Sequence, residues 1–346
     1  MAERIRVLIA DDSPMARAML REMFASDPGF EVVAEAGDGR EAVRLAGIHR
    51  PNLVTMDLEM PEMTGIEAIG EIMGSTPMPI LVVSGFADAK NAFAAVSRGA
   101  VDVIGKPDLD ESAVSRFLDK ARLVASIRVI THLRRQCAPA LAGAAAAAAP
   151  VPARASPRMT VFAIASSTGG PQALARILGN LAPGFGGPIL IAQHVAPGFA
   201  AGMVDWLATV SGLPVRLARQ NEEVRPGTVY LSPSEAHATL AAEGRFTLSA
   251  THEGDIYRPS CNALLESVAA VCGRRSVGLI LSGMGSDGVA GMTRIAEAGG
   301  VTLAQDERSS VIFGMNRVAI DRGCVSKVLA LDDIAAEMTR LAGRVA

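Results

Sequence analysis

Twice along this chain, short apolar runs alternate with helical patterns, and a segment rich in Ala, Pro and Gly separates the two stretches. Parallel strands need a connection long enough to hold a helix, so this alternation points to parallel sheets with right-handed crossovers. In the first stretch strands are predicted at Arg6–Ala10, Glu31–Glu35, Leu53–Met56, Ile80–Val83 and Val101–Ile104, with helices over Met15–Phe24 and Gly39–Gly47. Pro14 sits where a first helical turn accepts it. From Glu111 to about Arg135 the pattern is helical and increasingly polar. Cys137–Arg158, which includes Ala144–Ala149, lacks the side chains to build a core and reads as a linker. The second stretch predicts strands at Thr160–Ala165, Pro188–Gln193 and Val277–Leu281 and a helix over Pro171–Leu178. Val224–Ser232 and Ala238–Ser249 read as strand pairs or a hairpin. At 346 residues the chain is about twice the usual domain size, so two α/β domains are expected.

Composition excludes several function classes. The formal net charge is −3 and no Lys/Arg run stands out, so neither nucleic acid nor an anionic membrane surface is an expected partner. The four cysteines, Cys137, Cys261, Cys272 and Cys324, are scattered, which fits a reducing cytoplasm and no disulfide framework. The first apolar run is too short for a signal peptide, and none approaches the roughly 18–20 residues that insert in a bilayer. Met56, Met60, Met63, Met284 and Met292 are expected to serve packing.

Asp11, Asp12 and Asp57 each sit at the end of a predicted parallel strand, where ligand sites of open α/β sheets lie. Three carboxylates gathered there repel one another and suit a hard cation such as Mg²⁺. One of them can then attack phosphorus to give an aspartyl phosphate. Lys106 would balance the phosphoryl charge and Ser84 would offer it a hydroxyl.

The segments VLIADDSPMARAML, VTMDLEMPEMTGIEAI, LVVSG and AVDVIGKP resemble the receiver domain of bacterial response regulators, over residues 1 to about 122. The resemblance implies that Asp57 accepts a phosphoryl group from a histidine kinase. Asp12, Asp57 and the Glu59 backbone would hold Mg²⁺ with Asp11 nearby, Ser84 and Lys106 would contact the phosphoryl group, and Lys106–Pro107 would be cis. Many receivers carry an aromatic switch residue three places before the lysine. Here that place is Val103, so switching is expected to run through Ser84, the backbone or the domain interface.

In the second stretch, Ala165-Ser166-Ser167-Thr168-Gly169-Gly170-Pro171 joins a predicted strand to a helix. A hydroxyl there lies near free helix N–H groups that favour a developing oxyanion. His194 ends the next apolar strand and suits a base, and Asp287 in a Gly-rich loop could orient it. The Ser…His…Asp order is not that of α/β-hydrolases, and the turn is not a G-x-S-x-G elbow. Spacing alone therefore leaves a helix cap or anion cradle open, with His237 and His252 as rival bases. Cys261 has no base at a suggestive spacing.

The segments AIASSTGGPQAL, LIAQHVAPGFAAGMVDWL, YRPSCNALLESVA, LILSGMGSDGVAGM and QDERSSVIFGMNRVAI resemble the chemotaxis receptor protein-glutamate methylesterases, from about Met159 to Leu341. By that resemblance Ser167 is the nucleophile, His194 the general base and acid, Asp287 the orienting carboxylate and the Met284 N–H an oxyanion donor. The implied substrates are glutamate γ-methyl esters, and glutamines, of methyl-accepting chemoreceptors. No cofactor is expected for the esterase step. Two places depart from the family pattern: Ala165 stands for a usual Gly, and the R-P-S-V-D motif reads Arg258-Pro259-Ser260-Cys261-Asn262.

The expected architecture is therefore a flavodoxin-like five-stranded parallel receiver (1–122), a linker (123–158) and a doubly wound α/β methylesterase domain with a mostly parallel sheet (159–346). The expected function is a phosphorylation-activated hydrolase of sensory adaptation. The second reading is a phospho-switched interaction module with an inactive hydrolase-like domain.

Overall fold

A computed structural model describes residues 4–85, 91–127, 159–252 and 255–343. Two compact units emerge, Met1–Ala138 and Pro139–Ala346. The Cys137–Arg158 stretch read as a linker lies outside the described residues.

The first unit alternates β1 (Ile5–Ala10), α1 (Pro14–Ala25), β2 (Phe30–Ala36), α2 (Gly39–His49), β3 (Leu53–Met56), α3 (Gly65–Ser75), β4 (Ile80–Ser84), α4 (Ala92–Ser97), β5 (Asp102–Gly105) and α5 (Glu111–Ala125). Its sheet runs β2-β1-β3-β4-β5, and every pairing is parallel. This is the flavodoxin-like order, with its switch of direction between β1 and β3. Asp57 directly follows β3, whose four residues are all buried. Local signals set the helix starts. Ser13 caps α1 with Pro14 at its first turn, and Thr64 and Glu67 form a reciprocal capping box at α3. Lys106–Pro107 is trans, which corrects the expected cis bond. Trans is the lower-energy isomer of an X–Pro bond, and among the described residues the cis bond is Arg258–Pro259.

The second unit comprises β6 (Val161–Ser166), α6 (Gly170–Gly179), β7 (Ile189–Gln193), α7 (Ala200–Val210), β8 (Val215–Leu217), β9 (Val229–Leu231), β10 (Ala236–Leu240), β11 (Phe246–Ala250), α8 (Cys261–Cys272), β12 (Ser276–Ile280), α9 (Val289–Glu297), β13 (Val301–Gln305), α10 (Met315–Asp321), β14 (Lys327–Leu329) and α11 (Leu331–Ala342). Its seven-stranded sheet runs β14-β13-β12-β6-β7-β9-β8, all parallel. The antiparallel pair β10–β11 stands apart as a hairpin, as expected for Ala238–Ser249. Val224–Ser232 differs from its reading: only β9 within it is a strand, and it joins the large sheet between β7 and β8. Strands β6, β7 and β12 are buried along their whole length. They are continuous apolar runs because both faces of a parallel sheet are covered. No helix among the described residues is long and apolar enough to cross a membrane.

Candidate functional site

In the second unit the strand order reverses at β6, so β12, β6 and β7 are adjacent and end at one crevice. Ligands of open α/β sheets bind at such a switch point. Ser167 follows β6, His194 follows β7, and Asp287 lies in the loop after β12. In register, Ser166 faces Gln193, so Ser167 and His194 are the next residues on neighbouring strands.

The turn carrying Ser167 is clamped from both sides. On the β7 side, the Gln193 amide donates to the Ser167 carbonyl at 2.9 Å and the His194 carbonyl at 2.8 Å. The same amide oxygen accepts from Ser166 Oγ at 2.7 Å. On the β12 side, the Ser167 N–H donates to the Ser282 carbonyl at 3.0 Å, and Ser282 Oγ donates to the Thr168 carbonyl at 2.7 Å. Gly169 takes φ +78 at the N-cap of α6, and a Cβ there would meet Val311 at 2.4 Å. Gly283 approaches so closely that a Cβ would lie 2.6 Å from the Ser167 Cβ. The β12 loop thus runs directly against Ser167, with Met284 as its next residue. Among the described residues the Met284 N–H donates to no acceptor. The Met284 side chain is 56% exposed, which departs from the packing reading; Met56, Met60 and Met292 are buried as expected.

His194 Nε2 lies 2.8 Å from Asp287 Oδ2. Its ring stacks on Tyr257, with centroids 5.0 Å apart and planes inclined by 14°. Asp287 is buried, and the first turn of α8 is aimed at it. The Cys261 N–H donates to Oδ2 at 2.7 Å and the Asn262 N–H to Oδ1 at 2.9 Å. Burial pushes the Asp287 carboxyl up, but the His194 hydrogen bond and charge and these two N–H groups bring it below its ordinary value. The Asn262 side chain reciprocates, accepting from Gly288 N at 2.9 Å and Gly291 N at 3.0 Å where α9 starts without a side-chain cap of its own. An aspartate would offer the same acceptor, so the Asn262 departure preserves this cap. The rival base His237 has both ring nitrogens engaged, by Asp255 at 2.9 Å and the Ser260 N–H at 2.9 Å. Cys261 differs from its reading: its Sγ lies 3.5 Å from His194 Nε2. Nothing in sequence spacing signals that approach, because it joins the start of α8 to the end of β7.

In the first unit, Asp11 and Asp57 are buried side by side and Asp12 is exposed. Carboxylate oxygens of all three lie within 4.8 Å of one another. Lys106 Nζ bridges Asp11 Oδ2 and Asp57 Oδ2, each at 2.7 Å. Ser84 Oγ donates to Asp57 Oδ1 at 3.2 Å and the Leu58 N–H donates to it at 2.7 Å. Burial pushes the Asp57 carboxyl above its ordinary value; Lys106 opposes this and the Asp11 charge adds to it. For Lys106, burial disfavours the charge, but its hydrogen bonds and attraction to Asp11 and Asp57 hold it above the usual lysine value. An all-oxygen set under mutual repulsion fits a hard divalent cation such as Mg²⁺. Glu59, two residues beyond Asp57 in the loop after β3, is exposed between buried Leu58 and Met60, and Val103 is buried.

Comparison with known proteins agrees in both halves. The family model described as CheB methylesterase matches residues 162–338, and that of the response regulator receiver domain matches residues 7–116. The chain is 55% identical to a protein of Paramagnetospirillum magneticum named protein-glutamate methylesterase/protein-glutamine glutaminase 3, over 98% of this chain and 97% of that protein. A similarly named protein of Anaeromyxobacter dehalogenans is 44% identical over 95% of each. Among solved structures, the CheB methylesterase catalytic domain of Thermotoga maritima is 34% identical, with a TM-score of 0.52, covering 53% of this chain and 98% of that one.

Proposed function

The chain belongs to the CheB methylesterase family, and on that premise we propose that it hydrolyses glutamate γ-methyl esters of chemoreceptors, and deamidates receptor glutamines, under control of phosphorylation at Asp57. The observation that carries the esterase reading is the 2.8 Å His194–Asp287 pair beside the Ser167 turn, at the switch point of the sheet. With Asp287 accepting from Nε2–H, the neutral imidazole keeps its lone pair at Nδ1, and Nδ1 is the base. Ser167 Oγ attacks the ester carbonyl as its proton passes to Nδ1. The oxyanion forms against the Met284 N–H, and the imidazolium returns the proton to the departing methoxide. Methanol leaves, and water activated by the same nitrogen cleaves the acyl-enzyme. Glutamine follows the same path with ammonia as the leaving group. Asp287 stays ionised and stabilises the imidazolium.

In the receiver, a histidine kinase is the phosphodonor. An Asp57 carboxylate oxygen attacks the phosphorus of the kinase's phosphohistidine, the P–N bond breaks and the donor imidazole leaves, while Lys106 neutralises charge and the Ser84 hydroxyl donates to a phosphoryl oxygen. Asp11, Asp12, Asp57 and the Glu59 carbonyl would hold Mg²⁺, which when bound supplies further charge neutralisation. The unphosphorylated receiver restrains the esterase, and phosphorylation releases it. A few kcal/mol of differential stability is enough for such a shift.

Release of methanol from methylated chemoreceptor membranes tests the chemistry. Ser167→Ala is expected to lose turnover by roughly ten-thousand- to million-fold. Release that survives the substitution would remove Ser167 from the nucleophile role.

A further inference from the structure

One side chain in this crevice has no part in ester hydrolysis. Cys261, the first residue of α8, occupies the place where the family motif carries Val. Its thiol is fully buried, donates to the Ala192 carbonyl at 3.3 Å, and sits 3.5 Å from His194 Nε2. Burial and the Asp287 charge push this thiol well above its ordinary value, so it is protonated at neutral pH and silent as a nucleophile. Yet sulfur, imidazole nitrogen and carboxylate oxygen all lie within 4.8 Å of one another.

That donor set is of the kind that binds Zn²⁺ through three protein ligands and leaves a fourth position for water. One of the three separations already matches such a centre. A tetrahedral centre with Zn–S of about 2.3 Å and Zn–N of about 2.1 Å holds the two donors about 3.5 Å apart, and Sγ and Nε2 are separated by 3.5 Å. The 2.8 Å between Nε2 and Asp287 Oδ2 is shorter than such a centre needs. Opening it by about half an ångström lets an ion replace the proton between them. The His194 side chain is 15% exposed and gives the way in.

We propose that Cys261, His194 and Asp287 form a site for a borderline-soft divalent cation such as Zn²⁺, and that its occupancy reversibly shuts off the esterase. On binding, the thiol loses its proton to solvent and sulfur bonds the metal. The imidazole proton moves from Nε2 to Nδ1 as Nε2 bonds the metal. Nδ1 then carries a proton and has no lone pair for Ser167. Because a proton is released, affinity rises with pH.

The inhibition rests on the esterase reading above, but the site itself does not, and the experiment separates them. Tag-free full-length protein is titrated with Co²⁺ while the near-ultraviolet thiolate-to-cobalt absorption is recorded. It is also titrated with Zn²⁺ while methanol release is measured, each variant scored against its own metal-free rate. Wild type is expected to show the absorption band, stronger at higher pH, and inhibition reversed by a chelator. Cys261→Val, and Cys261→Ser as a smaller perturbation, should lose the band. Inhibition of both should weaken by at least the roughly 10- to 100-fold that loss of a mere outer-shell partner costs. The receiver carboxylates offer oxygen only and give no such band, and both variants keep the other three cysteines. Absence of the band in wild type, or an unchanged band and inhibition in both variants, would overturn the proposal. Failure of metal-free wild type to release methanol would instead count against the esterase reading, while the band still decides the site.

Discussion

Single side chains around Ser167 do work that their chemistry does not advertise. Gln193 is 2% exposed and satisfies two carbonyls and one hydroxyl at once, so removing it orphans buried polar atoms. Gln193→Ala should destabilise the second unit by about 1–3 kcal/mol and lower kcat more than it raises KM. Thermal unfolding and steady-state rates measure the two effects. Asp287 gives a prediction with a definite sign. Its carboxyl lies below the ordinary value in the folded chain, so its contribution to stability is present at pH above the ordinary aspartate range. That contribution is lost as the pH falls through the folded value. Calorimetry of Asp287→Asn should therefore show its largest deficit at neutral pH and a shrinking one in acid. A deficit that grew in acid would contradict the account.

At the scale of elements, α8 and α9 cap each other across the crevice. The first turn of α8 holds Asp287 through two N–H groups, and Asn262 in that turn caps α9. Asn262→Ala should cost about 0.5–2 kcal/mol, whereas Asn262→Asp keeps an acceptor and should melt close to wild type. These relations also mark where the sequence was legible. The central strands were readable because burial on both faces makes them continuous apolar runs: Leu53–Met56 is predicted and found residue for residue, and β6, β7 and β12 within a residue or two. The three-residue strands β8 and β14 are too short to show a period, and Val224–Ser232 is broken by Pro226-Gly227. Ser167 and His194 stood out because each follows a strand directly with a reactive group, and Asp287 because it lies in a Gly-rich loop after a third strand. The donors that hold Asp287 did not, because they are backbone N–H groups brought there by tertiary packing. Gln193, Ser282 and Tyr257 were present in the quoted segments, but amides, hydroxyls and aromatic rings are common and nothing in their spacing separates a clamp from a surface residue.

For the whole molecule, both units place their chemistry at the carboxyl ends of a parallel sheet, at a switch in strand order. The receiver holds its acidic cluster under strain. Burial and the Asp11 charge raise the Asp57 carboxyl, so ionised Asp57 disfavours the fold at pH above its folded value, and the penalty disappears below the ordinary aspartate value. Asp57→Asn should therefore raise the melting temperature of the receiver at neutral pH, with the gain fading in acid. The same substitution tests the central claim, that phosphorylation of one unit governs ester hydrolysis by the other. Methanol release from methylated receptor membranes should be compared for wild type and Asp57→Asn, each with and without a small-molecule phosphodonor and Mg²⁺. The account predicts that the phosphodonor accelerates wild type and leaves Asp57→Asn at its basal rate. Equal acceleration of both proteins, or of neither, would contradict it.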